Sequence, residues 1–446
     1  MPKSELHYRI EFLKTLLVVG LIGVSLDASC LAADPPKYTG PGSCASPSCH
    51  GGVAPRSDNS VWQNEYSTWV VKDKHAQAYT VLSNPVAVRM AKILELSSSA
   101  DTAPKCLACH TLDVPAADRA RTFDLADGVS CESCHGPASN WLGPHTTKGW
   151  THQQSIDAGM YDDRDLISRS QKCLTCHLGT SEKFVDHQMI AAGHPDLYFE
   201  LASFSAVMPK HWQEPRDREP RQDAWIEVRA LAVGQAVQLS QQLRRVARNA
   251  QGPNWPEYSE LDCFACHHGL TAALESWRQK LGYTDRRAGN PPWNLSRFVV
   301  LRSIAAEDRS GAPHLSQEID RLYRLIGDTS PDRSQIATRA SAVADIADRL
   351  AQRMMSLPFD QAATLRLLKS ISGDADYISS QDERAAEQAA MALDSLFVVY
   401  TRNGRVDNAD AVRDAIHALF KQLDDPSSYS APKFAQQMRV VNGLLK

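Results

Sequence analysis

Ten of the eleven cysteines form five close pairs, and a histidine directly follows the second cysteine of every pair. Four pairs have the form Cys-x-x-Cys-His, whereas the first pair has four residues between its cysteines. Cys-x-x-Cys-His is the signature of covalent haem attachment, because two thiols bond to the two vinyl groups of one porphyrin and the next histidine reaches the iron. The residues concerned are Cys44, Cys49, His50; Cys106, Cys109, His110; Cys131, Cys134, His135; Cys173, Cys176, His177; and Cys263, Cys266, His267.

Zinc sites and disulfides also use close cysteine pairs, but neither explains the histidines. A zinc site made from two Cys-x-x-Cys halves needs no histidine after each half. Disulfides suit an exported protein, yet a bond that spans two residues is typical of redox motifs, and a trailing histidine adds nothing to it. The four regular motifs therefore predict four haems of c type.

The expanded motif at residues 44–50 leaves two interpretations open. The turn-forming residues between Cys44 and Cys49 can be looped out while both sulfurs still reach the vinyl carbons. This interpretation gives a fifth haem, held by Cys44, Cys49 and His50. The alternative is a short disulfide loop beside a four-haem core.

Spare histidines decide whether each iron is closed or open. An iron with two protein ligands mainly passes electrons, whereas an iron with one can bind a small molecule. Of the 15 histidines, five belong to the motifs and His7 to the N-terminal segment, so nine remain. We expect the second iron ligands among His75, His145, His194, His187 and His211. We interpret His152 as a polar loop residue, His314 and His417 as ordinary helix residues, and His268 as a residue that binds no iron. His75 lies in KHAQAY within a helix expected over residues 61–82, His145 follows a Gly-Pro turn, and His194 precedes a proline.

Residues 1–33 have the layout of a secretory signal. Basic residues precede an apolar run at residues 15–26, and cleavage is expected after Ala32 or Ala33. The run is short for a membrane span, although a retained anchor or a lipid on Cys30 are alternatives. The expected location is the periplasm or another exported compartment.

The rest of the chain predicts a mainly α fold with few or no strands. Residues 34–270 hold all five motifs, so porphyrins are expected to form much of the interior of this haem domain, beside an amphipathic helix at residues 224–250. Residues 271–446 lack cysteine and show helical periodicity, which predicts an antiparallel helical bundle. Its helices are expected at residues 315–327, 334–357, 359–371, 383–403, 408–423 and 433–445. The net charge of −4 gives no basic face for nucleic acid.

Residues 40–270 resemble the multihaem c-type cytochromes of the cytochrome c-554 group, which are related in haem arrangement to hydroxylamine oxidoreductase and the pentahaem nitrite reductases. The resemblance is carried by CESCHGPAS (131–139), KHAQAY (74–79), CLACH, CLTCH and GHPDLYFE (193–200). It implies a helical scaffold with closely packed, often bis-histidine haems, one of which can be open, and a role in periplasmic electron transfer. Three departures stand out. Family members have four haems rather than five, every motif here ends in histidine rather than the lysine of the nitrite reductases, and hydroxylamine oxidoreductase would require eight motifs.

Three functions remain open at this point. In the first, closed haems pass electrons between redox partner proteins, such as a membrane quinol-oxidising complex and a terminal reductase. In the second, one open iron oxidises or reduces a small nitrogen or sulfur compound while the other haems conduct. In the third, the chain is a haem-bearing structural or sensory subunit. The surplus of histidines favours the electron carrier.

Overall fold

The computed structural model describes residues 35–56, 61–213, 223–267, 291–308, 312–328 and 330–446. The chain divides into two compact units, Met1–Pro36 and Lys37–Lys446. The expected secretory signal and His268 lie outside the described residues. Within these residues, no helix has the length and apolar character needed to cross a membrane.

The fold is mainly α, as the sequence predicts. Helices in the first half are α1 Glu65–Lys72, α2 Pro85–Ile93, α3 Pro104–His110, α4 Cys131–His135, α5 His152–Asp157, α6 Leu166–His177, α7 His187–Ala192, α8 Leu201–Val207 and α9 Ile226–Gln251. Those in the second half are α10 Ser296–Ala305, α11 Ala312–Ile326, α12 Arg333–Ser356, α13 Gln361–Gly373, α14 Ala375–Gln381, α15 Glu383–Asn403, α16 Ala409–Lys421 and α17 Ala431–Leu444. Short 3₁₀ helices cover Pro41–Cys44, Lys74–Gln77, Thr80–Ser83, Ala116–Asp118, Leu125–Asp127, Pro144–Thr146, Tyr258–Glu260, Cys263–Ala265 and Pro426–Ser428. The described residues contain no β-strand, only isolated bridges between Tyr38 and Arg119 and between Leu261 and Trp293.

The continuous helix expected over residues 61–82 is wrong. Helix α1 ends at Lys72, because Asp73 adopts an extended backbone and its side chain accepts a hydrogen bond from the backbone amide of His75. Aspartate competes with helical hydrogen bonding in this way. The chain then continues as 3₁₀ turns, and His75 lies in the first of them.

Helix α9 is the centre of the described fold. Its residues 230–240 are all buried, because it packs along α12 and also contacts α6, α8, α10 and α15. The helix expected at residues 224–250 is therefore present, but the solvated face of an amphipathic helix is largely missing. Gly234 permits the contact with α8, since a Cβ atom there would lie 2.8 Å from the Cβ of Leu201.

The six helices expected after residue 271 are all present, within a few residues of their expected bounds. Two further helices were not expected. Helix α10 has the unbroken apolar run Phe298–Leu301 and is buried on nearly all sides, so it carries no periodic signal. Helix α14 is only seven residues long.

The buried apolar side chains divide very unevenly along the chain. One large cluster runs from Leu166 to Leu445 and includes α9 and the C-terminal helices. Before it there is only a small cluster of Leu82, Ala91, Ala100 and Leu107 among the described residues. The region with the first three motifs thus has little apolar core of its own. The division of the chain at residue 270 stays a prediction.

Candidate haem sites

The regular motifs lie on single helical turns. Helices α3, α4 and α6 each end at the histidine of a motif, and the 3₁₀ turn Cys263–Ala265 carries the fifth. Residues three apart share one face of a helix, so both thiols of a motif can meet the same edge of a planar group. In the fifth motif the backbone amide of His267 donates to the carbonyl of Cys263 over 2.8 Å.

The expanded motif has two additional residues, yet it forms the same kind of backbone hydrogen bond between its histidine and its first cysteine. The amide of His50 donates to the carbonyl of Cys44 over 3.2 Å, and an inner turn joins Cys49 to Ser46 over 2.8 Å. Gly51 is required here, because a Cβ atom would lie 1.8 Å from the carbonyl oxygen of Ala45. The paired cysteines are all free thiols in the structure, so no disulfide closes this loop.

Four motif histidines lie opposite a second histidine from elsewhere in the chain. The ring centroids are separated by 6.2 Å for His50 and His145, 6.0 Å for His177 and His75, 6.4 Å for His110 and His194, and 6.2 Å for His267 and His187. The four partners lie in a 3₁₀ turn that begins at Pro144, in a 3₁₀ turn after Asp73, two residues after the end of α7, and at the start of α7.

This spacing fits two imidazoles on opposite sides of one metal ion. Metal–nitrogen bonds of about 2.0 Å, with roughly 1.1 Å from each nitrogen to its ring centre, place the two centroids about 6.2 Å apart. Rings in direct contact also have centroid separations of about 4.5–7 Å, so the informative observation is that this distance recurs between a motif histidine and a second histidine four times. The residues therefore fit an iron porphyrin held between two histidines.

Within the described ranges, His135 is the motif histidine that remains without a facing ring, and His211 is the remaining candidate for its second ligand. Burial lowers the pKa of His211, and the charge of His135 is the next cause of that shift, so the two imidazoles are neighbours. His211 also packs edge-on against Trp212, with ring centroids 5.1 Å apart. No ring contact between His135 and His211 is found in the described part of the chain, in contrast to the four closer pairs.

Most of these histidines use the same ring nitrogen, Nδ1, for a hydrogen bond within the protein. Six of them have a hydrogen-bonded oxygen at Nδ1, which leaves Nε2 as the nitrogen for a metal ion. The acceptors are Glu65 for His50 (2.9 Å), Asp73 for His75 (3.0 Å), the Ala78 carbonyl for His110 (2.8 Å), the Trp141 carbonyl for His145 (3.0 Å), the Pro195 carbonyl for His194 (2.8 Å) and the Pro209 carbonyl for His211 (3.3 Å). Nδ1 of His135 lies 3.1 Å from Oδ2 of Asp163 as an ion pair, without a hydrogen bond.

His152 shows the opposite arrangement. Its Nε2 atom lies 3.1 Å from Asp162, so the nitrogen that a haem iron would use is already engaged. The expectation of a loop position was wrong, because His152 begins α5. His314 and His417 lie in α11 and α16, as expected for helix residues.

The pKa values of the paired histidines shift in different directions. The hydrogen bonds that His50 and His75 donate to Glu65 and Asp73, respectively, raise the pKa values of the two histidines. Burial, with a smaller effect of His75, lowers the pKa of His177 to about 4. His177 is therefore neutral at physiological pH and keeps a lone pair for a metal ion.

Neighbouring motifs lie side by side. The thiols of Cys44 and Cys131 lie close together, and each shifts the pKa of the other, as do those of Cys109 and Cys176. Burial is the main cause that raises the pKa of Cys134, and the charge of Cys173 contributes. The first motif is thus next to the third, the third next to the fourth, and the fourth next to the second.

Glu132, inside the third motif, is a residue that sequence reasoning missed. Its carboxylate is 1 % exposed and accepts hydrogen bonds from the backbone amides of Thr39 (2.8 and 2.9 Å), Gly40 (2.7 Å) and Ala138 (2.7 Å). It thereby holds the segment that leads into Cys44 against α4. A glutamate between two predicted attachment cysteines was the available signal.

Among the described residues, no group of three or more His, Cys, Asp or Glu side chains is arranged to hold a metal ion by itself. Opposed histidine pairs are therefore the metal-binding pattern that the structure offers. This pattern differs from the closed four-ligand cage of a structural zinc site.

Comparisons with known proteins agree with this chemistry. The family model described as cytochrome c554 and c-prime matches residues 43–136, which include the first three motifs and His75. Cytochrome c-554 from Nitrosomonas europaea is 28% identical over 182 residues, which cover 37% of this chain and 69% of the relative. These matches support a c-type cytochrome. No solved structure matches the chain. Covalently bound haem c is the cofactor that a c-type cytochrome implies.

Proposed function

We propose that this c-type cytochrome carries five covalently attached haems, each held between two histidines, and transfers electrons between redox proteins in an exported compartment. The observation that supports it most is the separation of 6.0–6.4 Å between four motif histidines and a second histidine. Two ligands on an iron leave no position for a substrate. The basic and apolar layout of residues 1–33 supports the exported location.

The proposal assigns two histidine ligands to the haem on each cysteine pair. The haem on Cys44 and Cys49 has ligands His50 and His145; that on Cys106 and Cys109 has His110 and His194; that on Cys131 and Cys134 has His135 and His211; that on Cys173 and Cys176 has His177 and His75; and that on Cys263 and Cys266 has His267 and His187. The expanded motif is included because the amide of His50 closes on the carbonyl of Cys44, as His267 closes on Cys263.

The protein's own residues orient the ligands and set their basicity. Bound haem supplies a one-electron iron couple. Acceptors at Nδ1 fix the ring orientation and the tautomer of six histidines. The carboxylates of Glu65 and Asp73 increase the electron density on His50 and His75 more than a backbone carbonyl does, which favours the oxidised iron at these two positions.

The contacts between motifs support a continuous route for electrons. Cys44 lies close to Cys131, Cys134 lies near Cys173, and Cys176 lies close to Cys109. The fifth motif joins at the second, because Asp196, two residues after His194, acts electrostatically on Cys263. The proposed order of haems is therefore first, third, fourth, second and fifth, with the expanded motif at one end of the chain of irons.

One observation favours the enzyme alternative at a single position. His211 does not form a ring contact with His135 at the distance seen in the other four pairs, within the described residues. An open iron, if present, is therefore expected on the haem of Cys131 and Cys134. That iron would oxidise or reduce a small nitrogen or sulfur compound while the other haems conduct.

Ligand binding to the oxidised holoprotein distinguishes the two functions. Cyanide is added to the protein, and the optical spectrum is followed for a high-spin band that shifts; nitric oxide is tested on the reduced form. The carrier proposal predicts an all low-spin spectrum that cyanide leaves unchanged. A cyanide-sensitive haem contradicts the carrier, and its loss in a Cys131→Ala, Cys134→Ala variant, which cannot attach that haem, would place the open iron at the third motif.

A further inference from the structure

A polar recess lies between the segment that follows His194, helices α9 and α10, and the segment that precedes Cys263. Its cavity volume is about 20 Å³. The ionisable side chains that line it are Asp196, Arg245, Glu260, Arg297 and Arg384. Three arginines thus face two carboxylates, which leaves one positive charge in excess.

Two of the arginines have a carboxylate partner and a backbone partner. Arg245 pairs with Glu260 and donates to the carbonyl of Leu178. Arg384 pairs with Asp196, and its Nη1 atom donates to the carbonyl of Ser259 over 2.9 Å. Both guanidinium groups are therefore fixed and neutralised within the chain.

Arg297 has the backbone partner but not the carboxylate. Its Nη2 atom donates to the carbonyl of Leu197 over 2.6 Å. Its Nη1 atom is buried without a partner, in a residue that is only 6 % exposed. A buried guanidinium without a counter-charge is costly, and burial lowers the pKa of Arg297 to about 10.

Asp196 and Glu260 both act electrostatically on Arg297, but Asp196 is already paired with Arg384 and Glu260 with Arg245. Glu387 is close enough to feel Arg297, yet burial and the charge of Glu383 raise the pKa of Glu387 to about 8. Glu387 is thus mostly protonated at neutral pH. The amide oxygen of Gln242, which also lines the recess, has no partner and carries no charge.

We propose that Arg297 binds a carboxylate or another small oxyanion in this recess. The planar guanidinium matches such groups, and the occupant completes the pattern that Arg245 and Arg384 already show. Two sources have this chemistry: a propionate of a porphyrin attached nearby, or a free anion such as acetate or phosphate. The propionate source rests on the proposed function, because it requires a haem on Cys106 or Cys263; the free anion does not.

Two measurements on the haem-loaded protein test the proposal. A crystal structure of the holoprotein, grown without added oxyanion, shows which atoms lie at Nη1 of Arg297. Isothermal titration calorimetry with sodium acetate and with inorganic phosphate then compares the wild type with Arg297→Gln, Arg297→Lys and Arg366→Gln. Arg366 is an exposed arginine paired with Glu307 and serves as the matched control.

A propionate oxygen within hydrogen-bond distance of Nη1 supports the porphyrin source, and the wild type then binds no free anion. Binding of acetate or phosphate that weakens about tenfold or more in Arg297→Gln, but not in Arg366→Gln, supports the free source. Arg297→Lys keeps the charge and is expected to keep part of this binding, which covers the case of a glutamine variant that fails to fold. Water alone at Nη1, with no anion binding, overturns the proposal. Missing haems in the intact mass would weaken the proposed function and leave the free-anion result interpretable.

Discussion

The ring nitrogen that forms the hydrogen bond distinguishes a proposed haem ligand from an ordinary histidine. His145 uses Nδ1 to bond the carbonyl of Trp141, and its ring lies parallel to that of His50 within 9°. His152 instead uses Nε2 to bond Asp162. The two residues are close in sequence, so only the direction of the ring, which the chain imposes, distinguishes them.

Substitution of His145 by alanine tests this distinction. We expect His145→Ala to convert one low-spin haem to a high-spin haem that binds cyanide, because the iron on His50 loses its second ligand. The matched control His152→Ala should leave the spectrum unchanged. Electron paramagnetic resonance of the oxidised proteins measures both effects. Identical spectra for wild type and His145→Ala would remove His145 from the ligands.

The buried carboxylate of Glu132 gives a second test at this scale. Glu132→Gln replaces one acceptor oxygen by an amide group that points N–H bonds at N–H donors. We expect a loss of about 1–3 kcal/mol in the free energy of unfolding, measured by denaturant titration. The control Glu182→Gln changes an exposed side chain paired with Arg248 and should cost no more than about 0.5 kcal/mol. Equal stabilities of the two variants would show that Glu132 does not fix the segment before Cys44.

Helices carry the motifs because one turn brings two cysteines and a histidine together. The same turn explains what sequence alone could predict: the four regular motifs and the periodic C-terminal helices are local patterns. The burial of α9 on nearly all sides and the non-periodic α10 depend on contacts between distant segments, whereas the break at Asp73 comes from a local hydrogen bond with the amide of His75. The pairing of each motif histidine with its partner has the same origin, since His75 and His177 are brought together by tertiary packing.

Helices α8 and α9 pack so closely that one added methyl group is expected to lower the free energy of unfolding. Gly234→Ala places a Cβ atom 2.8 Å from Leu201, and overpacking costs about 1–3 kcal/mol, against a gain in helix propensity of up to about 1 kcal/mol. The free energy of unfolding should therefore fall. In the control, Gly443→Ala in α17, a Cβ atom would meet nothing within 4 Å, and stability should stay equal or rise. A stable Gly234→Ala variant would mean that the two helices can separate at little cost.

At the scale of the whole molecule, apolar side chains and the proposed porphyrins share the interior. The large cluster from Leu166 to Leu445 supports the fourth motif, whose Cys173 packs against it. The first three motifs lie where the chain offers only a four-residue cluster. The haems proposed there would supply the missing apolar interior, so loading and folding are expected to be coupled.

Removal of the C-terminal helices tests how far the haem region depends on them. A fragment of residues 34–270 would leave Val233, Leu239 and Val246 of α9 without the helices that bury them. We expect this fragment to accumulate poorly and to load fewer haems than the chain of residues 34–446 made in the same host. Soluble yield and haem content measure the difference. A fragment with equal haem content and a cooperative thermal transition would show that the region folds alone.

The haem number is the central claim, and the intact mass of the exported holoprotein tests it most directly. The protein is produced in a host with haem-attachment machinery and measured by electrospray ionisation under denaturing conditions, which retain only covalently bound groups. The account predicts the mass of the mature polypeptide plus five haems, with one haem fewer on a Cys44→Ala, Cys49→Ala variant. Four haems on the wild type, and the same number on that variant, would contradict haem attachment at the expanded motif.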